Sequence, residues 1–286
     1  MEIKNITEDT IDAAIQFSFD ICLEATARSY PLFDSIEKLK SEYKRCINKK
    51  NRELLGCYSD NKLVGVLCFY YLPEDNYLQT TALYAEKGNP HVIALFLSYI
   101  ESHYKHCDII IGIEPTYEIA MSTLSQFAYQ LVDNSIDFRL NMDEKMSINF
   151  PISESVKKID ASNFDQYLRF HKDNIDANAG YWTADRISEH KDKWDIYVIY
   201  ENEMIVSAIY CTTHSNKLSE VFGAFSSSET QMEIMLEYAA IDLKNKYPAL
   251  PCFMMMVDIN DINSINAAIK AGFKQENRYC CWKKTT

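Results

Sequence analysis

The apolar positions between Leu218 and Lys244 change their period once. Leu218–Phe225 is an almost continuous apolar run carrying one acid, Glu220, and it predicts a buried strand. The polar turn Ser226-Ser227-Ser228-Glu229-Thr230 follows. After it, Met232, Met235, Leu236, Ala239 and Leu243 recur at helical spacing, with Glu233, Glu237 and Lys244 on another face. Ser226 with Glu229 three residues on reads as a capping box, which puts the helix start there. A strand that ends in small hydroxyl residues and feeds a helix leaves N–H groups unpaired at the positive end of the helix dipole, a setting that suits phosphate. A capped helix that binds nothing has the same pattern.

The first half alternates in the same way. Glu2–Thr7 predicts a short strand, and Asp9–Ala25 and Asp34–Asn48 predict two helices. Leu54–Tyr58, Leu63–Tyr71 and Gln79–Tyr84 follow as three strands, the first two joined by Ser59-Asp60-Asn61. Asn89 and Pro90 open the helix His91–Tyr104. Asp108–Ile113 is a strand, Tyr117–Phe127 a helix, and Gln130–Asn141 one or two closing strands. The second half repeats this order. Ile3-Lys4-Asn5-Ile6-Thr7 matches Val156-Lys157-Lys158-Ile159-Asp160 at an offset of 153 residues, and the hairpin beginning at Cys57 matches that at Ile199 at an offset of 142. A period this long means two domains of one fold rather than a solenoid. The polar stretch Asn141–Ser155 places the boundary, giving an N-terminal domain 1–146 and a C-terminal domain 147–286. Each is expected to be α/β, a twisted mixed sheet with helices on both faces.

Composition changes this picture little, but charge narrows the partners. With a net charge of −12 and no lysine or arginine block, the chain is not expected to bind nucleic acid. No apolar run is long enough to span a membrane, and Met1–Thr10 is too polar to read as a targeting signal. Nine cysteines without a Cys-x-x-Cys pair or a zinc-spaced His/Cys cluster read as reduced, buried thiols in a cytoplasmic protein, with no metal expected. Oligomeric state, monomer or homodimer, is left open.

The segment Asp261-Ile262-Asn263-Ser264, continuing to Lys270-Ala271-Gly272-Phe273, resembles the penultimate helix and closing turn of the GNAT superfamily, the general-control-related N-acetyltransferases. The hairpins and strand–loop–helix units fit the same fold, so the chain resembles a tandem GNAT protein. The resemblance implies acetyl-CoA as co-substrate, lying between two splayed parallel strands with its pyrophosphate on the loop before the central helix. That maps onto Phe225, Ser226, Ser227, Ser228 and Thr230, with Asn263, in the second half, and onto Gly88 and Asn89 in the first. The family's loop pattern, Gln/Arg-x-x-Gly-x-Gly/Ala, keeps one glycine in Ala85–Pro90 and none in Ser226–Gln231.

Resemblance also implies a strand carboxylate as general base, since an amine must lose a proton before it attacks a thioester. Glu220 stands at that position. Its first-half counterpart is Gln79, which cannot take a proton, so the C-terminal half is expected to be catalytic and the N-terminal half a degenerate copy. The family's acid tyrosine is replaced by Ala268 and Leu124. Tyr279 on the last strand is a candidate acid because closing strands can face the acceptor site, with a packed aromatic, and protonation of the thiolate by solvent, as the alternatives. The loop Asn174–Trp182 corresponds to the roof of the acceptor pocket, with His171, Tyr181 and Trp182 as substrate-binding candidates. A loop stapled by its aromatics is the alternative. The expectation is thus an acetyl-CoA-dependent N-acetyltransferase of a small amine. Its rivals are a GNAT-fold binding or scaffold protein that has lost turnover, and peptide-bond formation from aminoacyl-tRNA, which the charge opposes.

Overall fold

The computed structural model describes residues 1–143, 155–176, 181–214 and 218–286. The chain forms two compact units, Met1–Asn134 with Arg278–Thr286, and Ser135–Asn277.

In the first unit, β1 (Glu2–Asn5), β2 (Arg52–Ser59), β3 (Lys62–Leu72) and β4 (Tyr77–Ala85) run antiparallel in sequence order, and β5 (Asp108–Ile113) joins β4 in parallel. Alternation along β3 sends Val66 and Cys68 to one face and Leu67 and Phe69 to the other. The helices α1 (Ile11–Cys22) and α2 (Ile36–Ile47) cover the first face through Ile15, Leu39 and Tyr43. On the second face lie α3 (Pro90–His103) and α4 (Glu118–Gln126), through Val92, Phe96 and Leu124.

The second unit repeats the plan. The strands β7 (Val156–Lys158), β8 (Trp194–Glu201), β9 (Met204–His214) and β10 (Leu218–Phe225) run antiparallel, and β11 (Cys252–Asp258) joins β10 in parallel. On one face α5 (Phe164–Asn174) and α6 (Ala184–Glu189) pack against Ile196, Val198 and Tyr210. On the other, α7 (Glu229–Lys246) and α8 (Ile262–Lys270) pack against Tyr197, Ile209, Val221 and Phe253. Among the described residues no helix is long and apolar enough to cross a membrane.

The closing strands correct the expected division after residue 146. From Ser135 onward, β6 (Gln130–Asn141) pairs with β11 of the second unit, Ser135 opposite Asp258 and Asn141 opposite Cys252. From Cys280 onward, β12 (Lys274–Thr285) pairs with β5 of the first, Cys280 opposite Ile113 and Thr285 opposite Asp108. Each half of the sequence therefore donates its last strand to the other unit. Alternation fixes which side chains of a strand face inward but not which neighbour it pairs with, so the exchange leaves no local signature. Residues 144–154, where the boundary was expected, lie outside the described residues.

Candidate active site

Strand β10 carries Glu220, the acid expected as the base. Register places Trp194 of β8, Thr212 of β9, Glu220 of β10, Met254 of β11 and Arg139 of β6 in one row across the sheet. Residues paired in this way project to the same face, here the one under α5 and α6. Asp137, two residues before Arg139, shares that face and is fully buried. Arg139 grips it with Nη2 at 2.7 Å from Oδ2 and Nε at 3.1 Å from Oδ1. Glu220 has lost most of its water here, and with Asp137 adding a like charge its carboxyl is pushed up to about 7, while Arg139 opposes the shift. A carboxylate tuned to neutrality serves as a general base for an amine.

An aromatic wall stands beside it. Trp194 packs against Phe222 at 5.6 Å, Tyr210 at 5.3 Å and Trp182 at 4.8 Å between ring centroids, and Trp182 meets Tyr181 at 5.0 Å. A bulge after Val221 leaves Phe222 without a partner on β9, and Gly223 then pairs with Tyr210. The Tyr210 ring lies directly across Gly223. A Cβ there would come within 2.3 Å of Cε1 and 2.5 Å of the hydroxyl. His171 is in the core rather than on this wall. Its ring packs 5.2 Å from Tyr210 and 5.6 Å from Tyr167. Its Nδ1 is 2.7 Å from Asp176 Oδ1, which also accepts the Ala184 N–H at 2.8 Å. Burial lowers the His171 pKa, with Asp176 opposing, so at neutral pH the ring is an uncharged pin between α5 and α6. Of the candidate roof, Ala177–Gly180 lie outside the described residues.

At the far end of β10 the helix begins later than expected. Ser228, not Ser226, is the N-cap of α7, accepting the Gln231 N–H at 3.4 Å, and Ser226 instead folds a turn, accepting from Ser228 N–H at 3.2 Å. The pair Ser228/Gln231 outcompetes Ser226/Glu229 because Glu229 turns away to Lys270 and Asn266 of α8. Ser207 adds a hydroxyl bond to Ser226 at 3.0 Å, fixing the turn. The amides of Glu229 and Thr230 have no partner among the described residues, Ser227 and Thr230 are exposed, and Lys270 stands beside the helix start. Phe225 closes the strand against Phe170 at 5.6 Å. An anionic group fits this end of α7, since free amides, the dipole and a lysine converge on it. Asn263 is exposed on the first turn of α8, where Asp261 caps the Ser264 amide at 3.1 Å.

The parallel strands β10 and β11 pair only from Ser219 to Val221 and then part. The first unit has the same divergence, with β4 and β5 paired only from Tyr77 to Gln79, but there the gap is filled. Ser29 bridges to Ile113. Its hydroxyl accepts the Leu83 N–H of β4 at 3.0 Å and reaches the Gly112 carbonyl of β5 at 3.4 Å. Tyr30 N–H donates to Gly112 O at 2.9 Å, and Glu114 N–H to Arg28 O at 3.0 Å. The neighbouring helix start is closed too. Pro90 has no N–H, Asn89 Oδ1 takes the His91 amide at 3.0 Å, and Asn89 O takes those of Val92 and Ile93. Gly88 is buried at φ +64° against Ile119 and Tyr117. The cofactor reading of Gly88 and Asn89 is therefore not supported by the backbone: these residues fold the loop, and the first amides of α3 are already bonded. Ser29→Ala, which orphans the buried Leu83 amide, is expected to lower unfolding free energy by about 1–3 kcal/mol in urea titration and to leave ligand binding by the second unit unchanged.

Tyr279 belongs to the first unit, whereas Glu220 belongs to the second. The Tyr279 ring packs 4.5 Å from Tyr30 and across Gly112, and burial raises its hydroxyl pKa well above the usual range. It is a packing residue of the closed gap, and the acid role proposed for it has no support there. The residues that sequence reasoning missed are Asp137, Arg139, Trp194, Tyr210 and Phe222. Asp137 and Arg139 alternating with Ile136, Phe138 and Leu140 are a signal for a charge pair on one face, but its place near Glu220 depends on the strand exchange.

No protein-family model matches the sequence, and no functionally curated protein does. The fold does have solved counterparts. A GCN5-related N-acetyltransferase from Sphaerobacter thermophilus superposes with a TM-score of 0.67 at 11% identity, covering 99% of this chain and 95% of the other. A tandem GNAT protein from the clavulanic acid biosynthesis pathway gives 0.58 at 9% identity, covering 99% and 98%. The chain has the tandem GNAT fold. A third counterpart shares it: the GCN5-related glucosamine N-acetyltransferase region of a fungal multi-domain GH3 β-N-acetylglucosaminidase gives 0.62 at 11% identity, covering 99% of this chain and 38% of that one. The two GNAT units of this chain thus differ where the fold's parallel strands part, one gap filled by Ser29 and the other bordered by Glu220 and free amides.

Proposed function

We propose that the second GNAT unit transfers an acyl group, acetyl in the simplest case, from a coenzyme A thioester to a small amine whose side facing the protein is apolar or aromatic. The observation that carries this reading is the contrast between the two gaps. Only the second offers free amides of Glu229 and Thr230 at a helix start, and only the second has a carboxylate, Glu220, on the strand leading to it.

Coenzyme A supplies the activated acyl group and a thiol leaving group. The pyrophosphate fits the amides of Glu229 and Thr230 with the Ser227 hydroxyl and the Lys270 ammonium nearby. Glu220 accepts the proton of the bound ammonium and leaves a neutral amine to attack, and the departing thiolate takes a proton from water. Trp194, Trp182 and Phe222 shield this exchange from bulk solvent and offer ring faces to the cation before it is deprotonated. The first unit contributes structure.

The test is calorimetric titration of acetyl-CoA, followed by thiol release with a panel of aromatic and aliphatic amines. Ser227→Glu puts a negative charge where the pyrophosphate is expected and suits the helix dipole, so the protein folds while affinity falls at least about tenfold. Asn89→Asp adds the same charge at the closed helix start of the first unit and leaves affinity unchanged. A folded wild type that binds no acetyl-CoA would overturn the proposal.

A further inference from the structure

Outside this site, one cluster of reactive groups is unexplained by it. Glu42 and Cys46 face the core one turn apart on α2, and Cys68 meets them from β3. The Cys46 and Cys68 sulfurs are 2.7 Å apart. Arg52 Nη1 is 2.8 Å from Glu42 Oε1 and 3.8 Å from Cys46 Sγ, and Arg45 also pairs with Glu42. Two arginines on the one carboxylate leave it no charge to spend on a cation, which argues against a metal among these three side chains. They favour a thiolate instead. The bond donated by the Cys68 thiol, with Arg52, holds Cys46 below the ordinary thiol range despite burial, while burial pushes Cys68 well above it. Both side chains are buried, Cys46 at 1% exposure and Cys68 at 0%, but only Cys46 borders a cavity. Cys46 lines a cavity of about 620 Å³ together with Arg52, Lys49 and Tyr99, so a small oxidant reaches it with a slight opening of that wall, while Cys68 lies one sulfur further in.

We propose that Cys46 and Cys68 are a peroxide-reactive pair, in which Cys46 is attacked from the cavity and Cys68 resolves it to a disulfide linking α2 to β3. In the first step the Cys46 thiolate attacks one peroxide oxygen. The S–O bond forms, the O–O bond breaks, and the leaving hydroxide is protonated to water, giving a sulfenic acid. In the second step the Cys68 sulfur attacks the Cys46 sulfur. The S–S bond forms, the S–O bond breaks, and hydroxide leaves with the Cys68 proton as a second water. Two thiols are oxidised by two electrons and one peroxide is reduced to two waters.

The native protein is treated with a stoichiometric amount of hydrogen peroxide, denatured in alkylating agent and digested with trypsin without reductant. The expected product is the peptide Cys46–Lys49 linked to Leu63–Lys87, absent before treatment and released by dithiothreitol. Cys68→Ser keeps the attacked thiol and removes the resolving one, so a sulfenic-acid trap such as dimedone should label Cys46 there. Cys46→Ser should yield neither link nor label at Cys68. Recovery of both wild-type peptides as separate alkylated thiols would overturn the proposal. So would stoichiometric zinc in the purified protein that is lost in Cys46→Ser, since the pair would then be a metal site.

Discussion

Glu220→Gln is expected to lower kcat/KM for acyl transfer by about 10²–10⁴-fold, the usual worth of a positioned general base. Acetyl-CoA affinity should be unchanged, because Glu220 faces the acceptor side of β10 and not the start of α7. The wild-type rate should climb with pH and level off above about 7, since the base works only when ionised, and the variant should lose that climb. Stability gives an independent reading with the opposite sign. A carboxyl whose folded pKa is raised from 4.5 to about 7 contributes stability fully below the lower value and loses it as pH rises through the higher. Allowing for partial exposure, the ionised Glu220 costs the fold about 2 kcal/mol at pH 8. Glu220→Gln should therefore melt higher than wild type at pH 8 and no differently at pH 4.5. A variant that keeps full activity, or that melts lower at pH 8, would remove Glu220 as the base.

The strand–turn–helix around Leu218–Lys244 was legible because its period changes within a single run, and the repeat of that pattern made two copies of one fold readable. Glu220 was legible as the one acid on an apolar strand. Its environment was not. The pKa depends on Asp137 and Arg139, more than eighty residues earlier, brought beside β11 by a strand exchange that alternation cannot encode. Tyr279 failed for the same reason, since the strand carrying it turns from the second unit to the first. The helix start was misplaced by two residues because both Ser226 and Ser228 satisfy the capping pattern. Only the tertiary pull of Lys270 on Glu229 decides between them.

The difference between the two gaps has a chemical logic. A strand partner missing from a parallel pair leaves backbone groups that need bonds. In the first unit the chain's own Ser29 and Tyr30 provide them, together with Tyr279 packed over Gly112, and the gap becomes core. In the second unit the amides of Glu229 and Thr230 have no partner among the described residues, and a ligand can take them.

Gly223→Ala should cost about 2–4 kcal/mol of stability and most of the amine affinity. The added methyl would lie 2.3 Å from Tyr210 Cε1, far inside contact distance, so the ring or the strand must move. The ring has no free side to move to, being buried between His171 at 5.2 Å and Trp194 at 5.3 Å, and His171 is itself held by Asp176. The strain therefore passes to the bulge at Phe222, which forms the aromatic wall next to Glu220. Urea titration and amine KM should both report it, with acetyl-CoA affinity changed much less because α7 starts beyond the disturbed residues. Tyr210→Leu alone should also destabilise, but in the double variant the smaller side chain makes room for the methyl. The two losses should then be subadditive by more than 1 kcal/mol, roughly the coupling expected of touching residues. Additive losses would mean that Tyr210 does not set the space over Gly223, and the account of the wall as a single packed unit would fall with it.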